Sequence, residues 1–379
     1  MIMYYSLIGR ENTRLPEEHK TAHELCFKVH DILAQLLLSG HRSKAFHLQF
    51  KFNKEADRLS FELSDDIFLW LEQTRRAEER VALIVSTVFP AILSDMLHCL
   101  YEVLETSRKG KLTVSYMLLR KPVQESLFVL ESIILDQPGF ASKLSTTPGK
   151  MGSQKAGGVE AHVKRIQRVL SIIGEEERFD ADYIAQLRYD KDAEDGFDGI
   201  CNKAIHLFTN HKSIATEPLN INFIFSQSDS IQTQWAYLYS RLPYLMVYIH
   251  RIAEYICANI APSPQNYLDD MDRRIAALVK LWWNDIDPRY SEIRLRNFVN
   301  QTDAWLSTHC TDAGFKIPNR TDLIRMAASG AYPGETVRET NRRNRQFIRA
   351  ALESGSILRE QPSRIIRWCQ KIKNRLALK

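Results

Sequence analysis

Residues 111–136, KLTVSYMLLRKPVQESLFVLESIILD, decide the fold class of this chain. Leu, Val, Phe and Ile dominate the stretch, yet Arg120, Lys121, Glu125 and Glu131 stand inside it. Removing a charge from water is costly unless it is paired or hydrogen-bonded. The stretch therefore predicts a central helix with a buried ion pair, Arg120 matched to Glu125 or Glu131. Pro122 predicts a kink or a restart, because its ring clashes with the preceding turn.

Around this helix the chain has ordinary globular composition. Its 379 residues, 44% hydrophobic and 26% charged, suffice for two domains or one large one with appendages. The net charge of +5 is mild. Six cysteines (Cys26, Cys99, Cys201, Cys257, Cys310, Cys369) stand singly, which argues against a disulfide framework or a zinc ribbon and predicts a reducing compartment. No leader pattern opens the chain, and no uninterrupted apolar run reaches the length of a bilayer span. A cytoplasmic protein without membrane contact is expected. Walker, Rossmann and G-x-S-x-G glycine patterns are missing from the sequence.

From the N-terminus, Pro16 and Ser39-Gly40 bracket a helix over 17–38. His19, His23, Cys26 and His30 share one face of it. At 1.5 Å per residue the outer two lie about 16 Å apart, so a buried stripe is expected and no metal or other cofactor. Alternation of Phe46, Leu48, Phe50 and Phe52, then of Leu59, Phe61 and Leu63, predicts a β-hairpin near 45–63. A helix should run from Ser64 to about Ser107. Residues 137–158, rich in Gly, Ser, Thr, Pro and Lys, predict a mobile loop. Helices are expected near 160–173, 200–211 and 235–260, with an unassigned acidic stretch at 175–199. The APSPQN segment at 261–266 is the expected domain boundary. The fold class is thus mostly α: a helical core bundle over 1–260 with one β-hairpin, plus a basic helical C-terminal region over 267–379.

Two segments could carry chemistry if they face each other. Arg120 and Glu125 belong to the first; Asn202, Lys203, His206 and His211, in CNKAIHLFTNH, belong to the second. Metal-independent RNA cleavage needs a base for the 2′-hydroxyl, a cation for the charged phosphorane and an acid for the leaving oxygen. Histidine suits the proton transfers, and arginine suits phosphate. The combination of LLRKPVQESLFVLESIILD with CNKAIHLFTNH resembles the helical cores of bacterial HEPN-superfamily proteins, most of all the divergent members of abortive-infection and phage-defence systems. That resemblance covers about residues 64–260. It implies an antiviral endoribonuclease or toxin acting on RNA, or a non-catalytic nucleic-acid-binding or scaffold subunit of a defence complex. Nucleic acid, RNA before DNA, and a defence-system protein are the implied partners, and a homodimer is compatible with it. The family signature places an Arg before the His, whereas Asn202 stands four before His206; Arg120 could supply the cation from the facing helix. Arg42–His47 (RSKAFH) also matches the family's R-x4-6-H spacing, but that motif needs a helix and the alternation there predicts a strand.

The C-terminal region gives a separate signal. From Glu335 to Lys379, nine Arg and three Lys against four Glu give +8 within a total of +5, leaving −3 for the rest. Arg338, Arg342, Arg345 and Arg349 recur at helical spacing, as do Arg364, Arg367, Lys371 and Arg375. A solvated helix usually interleaves Glu with its basic residues. An unbalanced arginine face is the footprint expected for phosphate backbones, or for the acidic 175–198 stretch of the same chain.

Overall fold

Proline at position 122 removes one backbone donor and crowds the carbonyl four residues earlier, so an ideal helix cannot pass through it. The chain neither breaks nor restarts there. In this computed structural model, which describes residues 13–353 except 53, 225 and 227, with side chains to Gln346, Lys121–Ser126 form a π-helical turn between two α-helical halves. The Leu127 N–H reaches back to the Pro122 carbonyl. The extra residue per turn absorbs the proline, and the rod continues to Leu135.

The described residues are helical, with no strand among them. In chain order the helices are α1 (Lys20–Arg42), α2 (Glu55–Glu62), α3 (Ile67–Gln73), α4 (Ala77–Arg108) and α5 (Leu112–Arg120). After the π turn come α6 (Leu127–Leu135), α7 (Gln137–Thr146), α8 (Val159–Ile173), α9 (Ala181–Tyr189) and α10 (Phe197–Ile205). The remainder is α11 (Ser228–Ile260), α12 (Gln265–Asp285), α13 (Ile293–Asp312), α14 (Arg320–Ser329) and α15 (Val337–Glu353).

Helix α11 is the hub, because apolar residues occupy nearly its whole circumference between Leu238 and Ile256. It packs against α1, α4, α5, α6 and α8. Helix α1 in turn sits between α4, α11 and α12. The apolar core passes without interruption from Leu104 and Leu130 to Leu278, Phe298 and Met326. The 261–264 segment is thus a bend beneath which packing continues. By composition α4 is apolar enough to cross a bilayer, with mean hydropathy 1.7 over one 18-residue window. Polar residues such as Ser94 and Asp95 hide that length from a search for uninterrupted runs. Phe89, Leu93, Leu97 and Leu100 of this helix are fully buried within the protein.

Two expectations are overturned. Residues 45–63 make no hairpin: 46–52 run as turn and irregular chain, and 55–62 form α2. Leu59 and Leu63 are four apart, so the run fits a helix as well as a strand. Arg58 bridges Glu55 and Glu62 across successive turns and favours the helix. The alternating aromatics meet around one residue instead, with Phe50, Phe52 and Phe61 ring centroids 5.1–6.0 Å from Trp70. Arg42 ends α1 and His47 lies beyond a turn, so the RSKAFH spacing does not lie on one helix.

The second concerns 137–158, whose composition predicts a loop although 137–146 are helical. Asp136 caps α7 by accepting the Gly139 N–H at 2.9 Å, and Phe140 and Ala141 are buried. Two short 3-10 turns follow, and Ser153 is tied to the central rod through Glu125. Polar composition conceals these few anchors.

Candidate functional site

The π turn positions the chemistry of this face. Its altered ladder leaves carbonyls for side chains to claim: Val123 O accepts Arg188 Nε at 2.6 Å and Gln124 O accepts the Tyr189 hydroxyl at 3.1 Å. Arg188, at 0% exposure, also donates through Nη1 to Glu131, which accepts the Tyr248 hydroxyl at 2.9 Å. Arg165 approaches the same carboxylate at 3.6 Å while its guanidinium covers the Phe128 ring. His162 stacks on Tyr189 at 3.6 Å. Burial, then the charge of Arg188, lowers the His162 pKa to about 4. The predicted buried ion pair therefore exists, but between Glu131 and Arg188.

Arg120 does not pair with Glu125. Its Nε donates to Gln124 at 3.0 Å, and Nη2 lies 3.9 Å from Asp198 on α10. Glu125 points elsewhere and accepts the Ser153 hydroxyl at 2.6 Å. Residues 120 and 125 are five apart, which in an α-helix is 140° around the axis, and the π turn changes this phase again. The segment carrying Arg120 and the one carrying Asn202 do approach each other, at Asp198 of α10. Gln124 Nε2 reaches Asp198 Oδ1 at 2.7 Å, and Asn202 Nδ2 reaches the same oxygen at 3.1 Å. Asp198 thus gathers Arg120, Gln124 and Asn202 between the two segments.

His206 ends α10, and the chain beyond it is pinned to itself. Asn222 Nδ2 donates to the His206 carbonyl at 2.8 Å, and the Thr216 hydroxyl donates to Asn222 Oδ1 at 2.9 Å. His206 and His211 remain exposed, and Lys203 is half-buried. With Lys191, Asn202, Thr209 and Asn210 the two imidazoles line an open concavity. Arg120 is not part of that lining; Lys191 is the cation there. Asn202 belongs to both groups, buried against Asp198 and bordering the concavity. An arrangement of two imidazoles, an ammonium and amide and hydroxyl donors can hold a phosphate and exchange protons with it.

Arg188, Asp198 and Lys191 escape the sequence reading because they lie in the acidic stretch left without assignment. Ile184, Leu187 and Arg188 are buried together on α9, so an Arg beside an apolar periodicity was the available signal. The first-helix stripe divides: His23 and Cys26 are buried, and His23 Nε2 lies 3.3 Å from the Leu104 carbonyl. No three potential ligands of that stripe converge among the described residues.

The C-terminal face is present in part. Arg338, Arg342 and Arg345 are exposed on α15. Arg349 lies on the same helix beyond the described side chains, and Arg364, Arg367, Lys371 and Arg375 fall outside the described residues. The intervening Arg343 turns inward to Glu335 at 3.0 Å and to Gly330 O at 2.8 Å. Two carboxylates of the acidic stretch are engaged elsewhere, Glu175 by Arg178 and Arg251, Asp195 by Arg241.

Comparison of the chain with protein-family models, curated proteins and solved structures returned no significant match.

Proposed function

We propose that this chain is a cytoplasmic RNA-cleaving protein of the defence-toxin type, using His206 and His211 as its proton-transfer pair. The observation that carries the reading is the concavity at the end of α10, whose lining two exposed imidazoles share with Lys191, beside a loop fixed by Asn222. One imidazole removes the 2′-hydroxyl proton, and O2′ attacks phosphorus. Lys191 offsets the charge of the phosphorane. The P–O5′ bond breaks, and the second imidazole protonates the leaving oxygen, giving a 2′,3′-cyclic phosphate and a 5′-hydroxyl. Arg120 acts as a positioning residue, through Asp198 and Asn202.

The test is cleavage of a single-stranded RNA by the purified full chain, with product ends identified. Cyclic-phosphate ends that vanish in both His206→Ala and His211→Ala are expected. Cleavage that survives the double replacement, or that needs added Mg2+, overturns the mechanism. A second reading, a nucleic-acid-binding subunit without catalysis, is favoured by α15. There, among the described side chains, Arg338, Arg342 and Arg345 face solvent while Arg343 is drawn inward. Binding of RNA without cleavage would select it.

A further inference from the structure

We propose that His250, Glu254 and Asp272 form a binding site for one divalent transition-metal ion, of the Zn2+ or Mn2+ class, at the joint between α11 and α12. His250 and Glu254 are four apart on α11 and so lie on one face, one turn from each other. Asp272 comes from α12 across the bend at 261–264. One ligand atom from each lies within 4.8 Å of the others. Metal bonds of about 2.0–2.2 Å hold ligand atoms roughly 3–4 Å apart, so closure on an ion needs only small inward shifts.

The imidazole supplies the second observation. His250 is 3% exposed, and its Nδ1 is buried without a hydrogen-bond partner. That nitrogen lies 3.8 Å from Glu254 Oε2, beyond hydrogen-bonding reach and facing the carboxylate. A buried, unsatisfied ring nitrogen is costly unless something binds it. A metal ion would use its lone pair and the two carboxylates together.

Charge points the same way. Three carboxylates (Glu175, Glu254, Asp272) meet two guanidiniums (Arg178, Arg251), leaving one negative charge in excess. Arg251 Nη1 stands 2.5 Å from Glu254 Oε2 and 3.3 Å from Asp272 Oδ2, so it would share these carboxylates with the ion. The Glu254 and Asp272 side chains keep 14% and 21% exposure, which leaves a path from solvent. One nitrogen and two carboxylates suit Zn2+ or Mn2+ better than Mg2+.

The untagged full chain, stripped with chelator and dialysed, is titrated with Zn2+, Mn2+ and Co2+. Uptake of about one ion per chain, Co2+ d–d absorption and a Zn2+-dependent rise in Tm are expected. All three should be lost in His250→Gln and in Asp272→Asn. Equal uptake by these variants, or no Co2+ bands and no rise in Tm in the unaltered chain, overturns the proposal. If both variants fail to fold, Mn2+ bound to the unaltered chain decides the matter. Its pulsed EPR spectrum should show nitrogen coupling from one imidazole, and a spectrum without that coupling overturns the site.

Discussion

Two arginine–carboxylate centres adjoin α11, and they do opposite things with the same chemistry. At Glu131 one carboxylate meets Arg188 and Arg165 and accepts the Tyr248 hydroxyl, with both Glu131 and Arg188 at 0% exposure. At Arg251 three carboxylates crowd two guanidiniums at a partly open surface. The first centre has its anion satisfied and shut from water, with Arg165 reaching partly to the surface. The second has an anion in excess, two carboxylates with raised pKa and an unsatisfied imidazole. Enclosure and charge count, more than residue type, separate a fixed structural pair from a centre able to exchange a proton or an ion.

The sharpest way to break this comparison is Glu131→Gln. Leaving Arg188 buried without its counter-charge should cost about 3–5 kcal/mol, read by equilibrium denaturation of the full chain. A loss below about 1 kcal/mol would show that water enters the enclosed centre and that the two centres are alike.

Next in size is the pH dependence at Glu254. Its folded pKa is raised, so the folded chain holds the proton more tightly than the unfolded one. The stability this contributes is present below the unfolded carboxylate value. It is lost as pH rises through the higher folded value. Glu254→Gln should flatten that decline by up to about 1.4 kcal/mol per pH unit, the slope for one proton. His250 has the opposite sign: with its pKa lowered to about 3, its stability is present above pH 6.5 and lost as pH falls. Denaturation curves between pH 4 and 8 with an unchanged slope in Glu254→Gln would remove proton exchange from this centre.

Smaller effects on stability are expected at the candidate site. His206 and His211 are exposed, so His206→Ala and His211→Ala should each change stability by less than about 0.5 kcal/mol while removing RNA cleavage. A large loss of Tm would show that the 206–222 loop depends on these side chains.

The smallest change in stability is expected on α15. Replacing Arg338, Arg342 and Arg345 together with Gln should leave the fold intact. It should flatten log affinity against log salt by about 0.7 per lost contact on single-stranded RNA. Arg343→Gln should instead destabilise the C-terminal packing, since it removes the partner of Glu335. If the two replacements behave alike, the division of that helix into inward and outward arginines is wrong.

The helical class, the central rod and α11 are legible in the chain. Long apolar periodicity and charges inside it leave few alternatives. Short segments are less legible. Residues 55–63 satisfy two periods at once, and only the Arg58 bridges and packing around Trp70 select the helix. At 137–158 a few anchors outweigh a loop-like composition.

The sequence by itself required that Glu131 find a partner, because a charge within so apolar a helix cannot remain unpaired. It could not say which partner. Arg120 and Arg188 are both arginines with the same charge and the same fork, so nothing in residue type ranks one above the other. The choice follows from the π turn at Pro122, which turns Arg120 toward Asp198 and presents Val123 O to Arg188. It follows equally from α9 packing against α8 and that turn. Pairing is a three-dimensional distance between segments 57 residues apart. Only the folded chain sets that distance.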